Sequence, residues 1–148
     1  MKKGIILGSL MGVVLFSTTG CGAGGKQLNC TIEDESESAK VSQQTLVSFD
    51  SKENLSHVKI TTITDANSDY ADEMDDYEES VKQSVEENDE EHIKLSYKRN
   101  GNKLTLVMDY YVSDMTDAEK EEYGFDDPEE NTYDNIKSTF EDQGYTCK

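Results

Sequence analysis

Three cysteines and two histidines supply the thiols and imidazoles of this 148-residue chain. Nucleophilic catalysis requires a thiol or hydroxyl beside a base that a third group orients. His57 and His92 stand at the starts of two predicted strands, and neither adjoins a recognisable nucleophile motif. The sequence also contains no glycine-rich phosphate loop. This pattern predicts no catalytic residue and no cofactor.

Carboxylates are the other candidate chemistry, because the chain contains 32 Asp and Glu residues. A carboxylate pair supports acid–base catalysis when it is suitably spaced, but no distinctive spacing occurs here. Asp65, Asn67 and Asp69 stand at positions 1, 3 and 5 of an EF-hand-like pattern, with Asp76 at position 12. Position 6 requires glycine for a sharp turn and is Tyr70. We therefore predict no specific metal site, only weak surface binding of divalent ions.

The first 21 residues have the layout of a bacterial lipoprotein signal. Met1–Lys3 is positively charged, Gly4–Phe16 is uncharged and mostly apolar, and Ser17–Gly20 supplies small residues before Cys21. Thr18 departs from the pattern, which usually has an aliphatic residue at that place. A membrane-spanning helix is the alternative, but it needs about 20 mostly apolar residues. We predict a signal peptide at 1–20 and lipidation of Cys21.

Lipidation would place the protein on the extracytoplasmic face of the cell membrane. Stable anchoring takes more than one acyl chain, which a diacylated Cys21 would provide. We predict a lipidated cysteine with a flexible, glycine-rich tether at 21–26, followed by a single acidic domain at 27–148, because 128 residues suffice for one core.

The charge balance restricts the partners of that domain. Without Lys2 and Lys3, 12 of the 14 Lys and Arg residues face 32 Asp and Glu, a formal charge of −20. This balance excludes nucleic acid, which is bound by clustered basic residues, and it opposes adsorption to anionic lipid. Acidity favours solubility. It also suits a cationic partner or divalent ions.

Cys30 and Cys147 are the pair that remains after lipidation of Cys21, near opposite ends of an exported chain. We predict a disulfide between them; two free thiols are the alternative.

Alternating and helical patterns define the elements that precede residue 90. Leu28, Cys30 and Ile32 alternate with polar residues, which predicts a strand with Cys30 buried, followed by a polar loop at 33–38. Two β-branched segments, 41–49 and 57–64, predict an antiparallel hairpin. Apolar residues spaced three and four apart then predict a helix from Asp69 to near Asn88, capped by Ser68 or Asp69.

Asn100-Gly101 predicts a type I′ turn between two further strands. With these two residues as the loop, His92 lies opposite Asp109 as an exposed polar pair. The apolar pairs of this register are Tyr97–Leu104, Leu95–Leu106 and Ile93–Met108.

The last third of the chain predicts two helices and a short strand. Thr116 and Glu119 form a capping box, and Gly124 suits the end of that helix. A second helix runs from about Thr132 to Gly144, and 145–147 returns as a strand beside Cys30. The sum is an α+β domain, an antiparallel sheet of hairpins with two or three helices packed on one face.

Several short motifs occur at different places along the chain. They are Gly20-Cys21, Cys30-Thr31, the hairpin from Phe49-Asp50 to Asn54-Leu55 leading into Ile60-Thr61-Thr62, and the ending Gly144-Tyr145-Thr146-Cys147-Lys148. With these motifs, the chain resembles the YehR-like family of small bacterial lipoproteins over most of the mature domain. The resemblance implies a membrane-anchored α+β domain and no functional residue beyond the lipidated cysteine.

These observations predict a non-catalytic envelope protein that binds a partner or ligand through its folded domain. The partner is a cationic protein or peptide that meets the acidic helix and loops, or a small solute held between sheet and helices. An envelope enzyme with a carboxylate-based site and a divalent-cation-binding surface protein are the alternatives.

Overall fold

The computed structural model describes residues 25–148, which form a six-stranded antiparallel sheet and three helices. The strand order is β4-β5-β3-β2-β1-β6. The predicted α+β fold is confirmed, whereas the predicted signal peptide and Cys21 lie outside the described residues. The elements are β1 (Gln27–Glu35), β2 (Ala39–Phe49), β3 (Leu55–Ala66), α1 (Ala71–Glu87), β4 (Ile93–Asn100), β5 (Lys103–Tyr110), α2 (Asp117–Tyr123), α3 (Tyr133–Asp142) and β6 (Thr146–Cys147).

Strands β1 to β3 form the longest ladders of the sheet. The predicted hairpin of β2 and β3 is confirmed, with Val47 opposite Val58. The predicted polar loop at 33–38 is wrong for its first three residues, because β1 continues to Glu35 opposite Lys40. The antiparallel ladder gains two hydrogen bonds with every second further pair, which outweighs the polar character of these exposed side chains.

The hairpin of β4 and β5 is present, but its register differs from the prediction by two residues. Asn100 pairs with Lys103, so the loop is Gly101-Asn102, and Asp109 lies opposite Lys94 rather than His92. Gly101 has φ of 61°, and the positive φ at the first loop position only is the pattern of a type II′ turn. A shift of two residues keeps every side chain on its predicted face. The apolar pairs observed are Tyr97–Leu106, Leu95–Met108 and Ile93–Tyr110.

All three helices cover the same face of the sheet. One row across five strands of this face contains Leu28, Val47, Val58, Tyr110 and Ile93. At this end of the sheet the row packs against α2, α3 and the segments beside them, and at the other end Leu104 and Ala66 pack against α1. On the opposite face, strand alternation places polar side chains and a few aliphatic ones.

The residue that caps α1 lies one or two positions later than predicted. A 3₁₀ turn covers Ser68–Tyr70, and Tyr70 is the residue before α1, with no side-chain hydrogen bond to the helix. The predicted capping by Ser68 or Asp69 is therefore wrong, while the predicted end at Asn88 is confirmed. Met74 and Val81 are buried and hold the helix to the sheet.

Helices α2 and α3 have the predicted boundaries. The Thr116 hydroxyl accepts from the Glu119 amide, the Glu119 carboxylate accepts from the Thr116 amide, and Gly124 ends α2 with φ of 73°. Thr132 caps α3, which ends at Asp142 before Gly144. No helix within residues 25–148 is long and apolar enough to cross a membrane.

The predicted disulfide and the strand that carries it are both confirmed. Cys30 and Cys147 are bonded, with their Cα atoms 4.1 Å apart, and they face each other in the pairing of β1 with β6. Cys30 is fully buried. Asn29 and Lys148 exchange two backbone hydrogen bonds beside the bridge, of 3.0 and 2.9 Å.

Gly25 and Lys26, which belong to the segment predicted as a tether, lie against the domain. The Phe49 amide donates to the Lys26 carbonyl at 2.9 Å. A Cβ atom on Gly25 would overlap the carbonyl oxygen of Phe49. This close approach requires glycine at residue 25.

Removal of the disulfide should lower the free energy of unfolding. The bridge closes a loop of sequence separation 117, and chain entropy gives an upper value of about 4.7 kcal/mol for loops near that length. We expect Cys30→Ala with Cys147→Ala to lose up to that amount in urea unfolding followed by circular dichroism. Because Cys30 is buried, the oxidation test is alkylation in denaturant without reductant, and modification of both thiols there would contradict the bridge.

Candidate functional site

An open cleft of about 520 Å³ lies at the end of the domain where the β2–β3 turn approaches α2. Its third wall is the loop that follows α2. We call it the acidic cleft, because four of its lining residues are carboxylates and one is a lysine. The lining residues are Asp50, Glu53, Asn54, Leu55, Ser56, Val112, Ser113, Asp117, Lys120, Phe125, Asp126, Pro128 and Asn131.

Two of the four carboxylates hold the β2–β3 turn together. The Asp50 carboxylate accepts from the backbone amides of Lys52 and Asn54 at 2.8 and 2.9 Å and from the Asn54 side-chain amide at 3.1 Å. The Asn54 hydrogen bonds lower the pKa of Asp50 below its ordinary value. Glu53, which has φ of 66°, forms an ion pair of 2.5 Å with Lys26.

The other two carboxylates, Asp117 and Asp126, are exposed, and neither has a hydrogen-bond or ion-pair partner among residues 25–148. Asp117 is the first residue of α2, and Asp126 follows Phe125 in the loop after that helix. Within the same part of the chain, Lys120 also has no ion-pair partner within 4.0 Å. The cleft therefore presents two carboxylates and one ammonium group to solvent.

A second pocket, of about 330 Å³, lies between the sheet and helices α2 and α3. We call it the apolar pocket. Leu55, Phe125 and Asn131 line both the apolar pocket and the acidic cleft, so the two spaces adjoin. The remaining lining residues are Thr45, Val47, Val58, Ile60, Tyr110, Tyr123, Gly124, Ile136 and Phe140.

Each of the two histidines is hydrogen-bonded to a carboxylate. His57 hydrogen-bonds to Asp109 at 3.1 Å, beside the ring of Tyr111, and His92 hydrogen-bonds to Glu119 at 2.9 Å. Within residues 25–148, no hydroxyl or thiol hydrogen-bonds to either imidazole. The predicted pair of His92 with Asp109 is wrong, because the two-residue register shift places His92 beyond the strand pairing and next to α2.

The His92–Glu119 pair joins the start of β4 to the capping box of α2. Its side chains are 22% and 20% exposed, so solvent screens the pair only partly. The hydrogen bond to Glu119 raises the pKa of His92 above 6.5, and it lowers the pKa of Glu119 to about 2, with help from the Thr116 amide. The pair therefore links the start of β4 to α2.

The residues of the EF-hand-like pattern are spread over three elements. Asp65 lies near the end of β3 and forms an ion pair of 3.2 Å with Lys103. Asn67 donates to the backbone carbonyl of Glu37, Asp69 lies in the 3₁₀ turn, and Asp76 is in α1. The described residues contain no group of three or more His, Cys, Asp or Glu that could hold a metal ion.

The cleft and the pocket were not located from the sequence, which predicted only that acidic loops or a space between sheet and helices would bind. The walls of the acidic cleft come from four separated segments, 50–56, 112–113, 117–120 and 125–131. The one local signal was the capping box, since it fixes where α2 starts and therefore where Asp117 projects.

Stability should depend on pH through the His92–Glu119 pair. A raised His92 pKa contributes stability that is present below 6.5 and is lost as pH rises through the folded value. A lowered Glu119 pKa contributes stability present above 4.5 and lost as pH falls toward about 2. We expect His92→Gln to reduce the slope of the urea midpoint against pH between pH 6 and 8. His57→Gln is the control variant. An unchanged slope in His92→Gln would contradict this assignment.

Comparison with known proteins supplies no relative of this chain: no protein-family model, no curated protein and no solved structure matches it.

Proposed function

We propose that this protein is a lipid-anchored, extracytoplasmic binding protein whose acidic cleft holds a cationic segment of a peptide or protein. The membrane anchor is Cys21, as the tripartite signal at 1–21 predicts. The domain binds and does not catalyse. The resemblance to YehR-like lipoproteins stays a prediction and adds no residue to this proposal.

The single observation that carries the proposal is the pair of carboxylates without partners, Asp117 and Asp126, on the walls of one concave site. A concave site excludes part of the solvent, so a charge bound there is screened less than on an open surface. Lysine or arginine side chains would neutralise these carboxylates. The formal charge of −20 that remains without Lys2 and Lys3 would also accelerate the approach of a cation.

Fewer observations support the two alternatives, an envelope enzyme and a divalent-cation-binding surface protein. An enzyme would need a carboxylate or imidazole positioned for proton transfer, and both imidazoles are hydrogen-bonded to carboxylates in the structure. A divalent-cation surface would draw on the dispersed carboxylates of α1. Those side chains form an open helical surface and share it with Lys82.

Lipidation of Cys21 should be visible directly. We expect mass spectrometry of membrane extracts to find a mature amino terminus at Cys21 carrying acyl chains, because the signal ends on that residue. Cys21→Ala should release the protein from the membrane fraction. An unmodified amino terminus, or membrane retention of Cys21→Ala, would overturn the anchor.

The cleft can be tested by titration with a blocked lysine peptide, acetyl-Lys-Lys-Ala-Lys-Lys-amide. The lipidated protein is held in nanodiscs of neutral phosphatidylcholine, and empty nanodiscs are the blank. We expect binding to weaken steeply with salt. We expect Asp117→Asn with Asp126→Asn to raise the Kd by roughly 2- to 30-fold, since exposed ion pairs contribute about 0.2 to 1 kcal/mol each.

Asp72→Asn with Asp76→Asn is the matched control. It removes two exposed charges from α1, away from the cleft, and leaves the net charge equal to that of the cleft variant. We expect it to change the Kd by less than the cleft variant does. An equal effect of both variants would show that attraction is spread over the surface, and no binding at low salt would overturn the proposed function.

A further inference from the structure

The first observation is a buried hydroxyl without a partner at the apolar pocket. Thr45 has 0% exposure, and its Oγ1 is the single buried side-chain polar atom of residues 25–148 that lacks a hydrogen bond. Thr45 lies on the covered face of the sheet, between Cys30 on β1 and Ile60 on β3. A buried hydroxyl without a partner is unfavourable, and native proteins contain few such groups.

The second observation is that α2 and α3 leave a space against the sheet, and Thr45 is among the residues that line it. Aromatic rings bridge the helices to the sheet at the margins of the apolar pocket. Tyr110 meets the rings of Tyr123 and Phe125 edge-on at 6.0 and 5.7 Å, and Phe140 meets Tyr145 edge-on at 4.9 Å. A volume of about 330 Å³ remains between them, which lies within the range of small-ligand sites, roughly 300 to 1,000 Å³.

The third observation is that the apolar pocket adjoins the charged residues of the acidic cleft. Phe125 lines both spaces, and the next residue is Asp126, one of the two carboxylates of the acidic cleft that lack a partner. A ligand that places a cation in the cleft therefore brings its neighbouring groups to the mouth of the pocket. The site as a whole is acidic on one side and aromatic on the other.

We propose that the apolar pocket receives an aromatic side chain of the cationic segment bound in the acidic cleft, and that the Thr45 hydroxyl hydrogen-bonds to the polar end of that side chain. The ligand class is a basic peptide segment containing tyrosine. This inference rests on the proposed function and names the specificity of the same site. The peptide's lysines neutralise Asp117 and Asp126, and its phenol supplies the partner that Thr45 lacks.

The test compares three peptides, acetyl-Lys-Lys-X-Lys-Lys-amide with Ala, Phe or Tyr at X, on the same nanodisc-held protein. We expect Phe to bind roughly 10- to 100-fold more tightly than Ala, from the burial of one aromatic side chain. We expect Tyr to bind roughly two- to tenfold more tightly than Phe, through the hydrogen bond. Methyl NMR should place the ring beside Ile60 and Ile136.

Two variants separate the parts of the inference. Thr45→Val has nearly the same shape without the hydroxyl, so it should abolish the preference for Tyr over Phe while keeping that for Phe over Ala. Ile136→Phe fills the apolar pocket and should abolish the aromatic preference while keeping the affinity for the Ala peptide. That retained affinity shows that the variant is folded. Ile63→Phe, on the uncovered face of the sheet, is the matched control.

The outcomes distinguish this inference from the proposed function. Equal binding of all three peptides would overturn the inference and leave the cationic site in place. Equal binding of the Phe and Tyr peptides would overturn the role of Thr45. An uncharged peptide, acetyl-Ser-Ser-Phe-Ser-Ser-amide, that binds as tightly as the lysine version would show an independent site for apolar solutes and would overturn the coupling to the cleft.

Discussion

The two-residue period of the strands sorts the side chains of the sheet onto two faces, and the rest of the structure depends on that sorting. Leu28, Val47 and Val58 fall in one row on one face. The opposite face contains polar residues and needs no cover. Three short helices must therefore share one face, α1 at one end and α2 with α3 at the other. The space between α2, α3 and the sheet is the apolar pocket.

In this strongly acidic chain, two of the cationic side chains form ion pairs that join separate segments of the fold. Arg99, on the covered face of β4, binds Asp75 and Glu78 of α1 at 2.5 and 2.8 Å. Its side chain is 21% exposed, so these ion pairs are partly shielded from solvent. Lys26 similarly pairs with Glu53 at the β2–β3 turn. Within residues 25–148, Asp117 and Asp126 of the acidic cleft have no such partner.

Local patterns were sufficient to predict most elements of the fold. The capping box of Thr116 and Glu119, the ending of α1 at Asn88 and the strand position of Cys30 each depend on residues within one or two turns of chain. The hairpin register was wrong by two residues, since the strand period leaves faces unchanged under such a shift. The pairing of His57 with Asp109 depends on β3 lying beside β5, which no local pattern encodes. The location of the acidic cleft could not be predicted from the sequence for the same reason.

The bridge between Cys30 and Cys147 also determines how the domain would transmit a mechanical load. A pull on the chain at Gly25 could peel only the residues of β1 that precede Cys30 before reaching a covalent bond. From there the force divides, because one route continues along β1 and the other crosses to Cys147 and enters α3 from its far end. Beyond Cys30, opening of the sheet from this end would therefore load two segments of the chain at once rather than β1 alone.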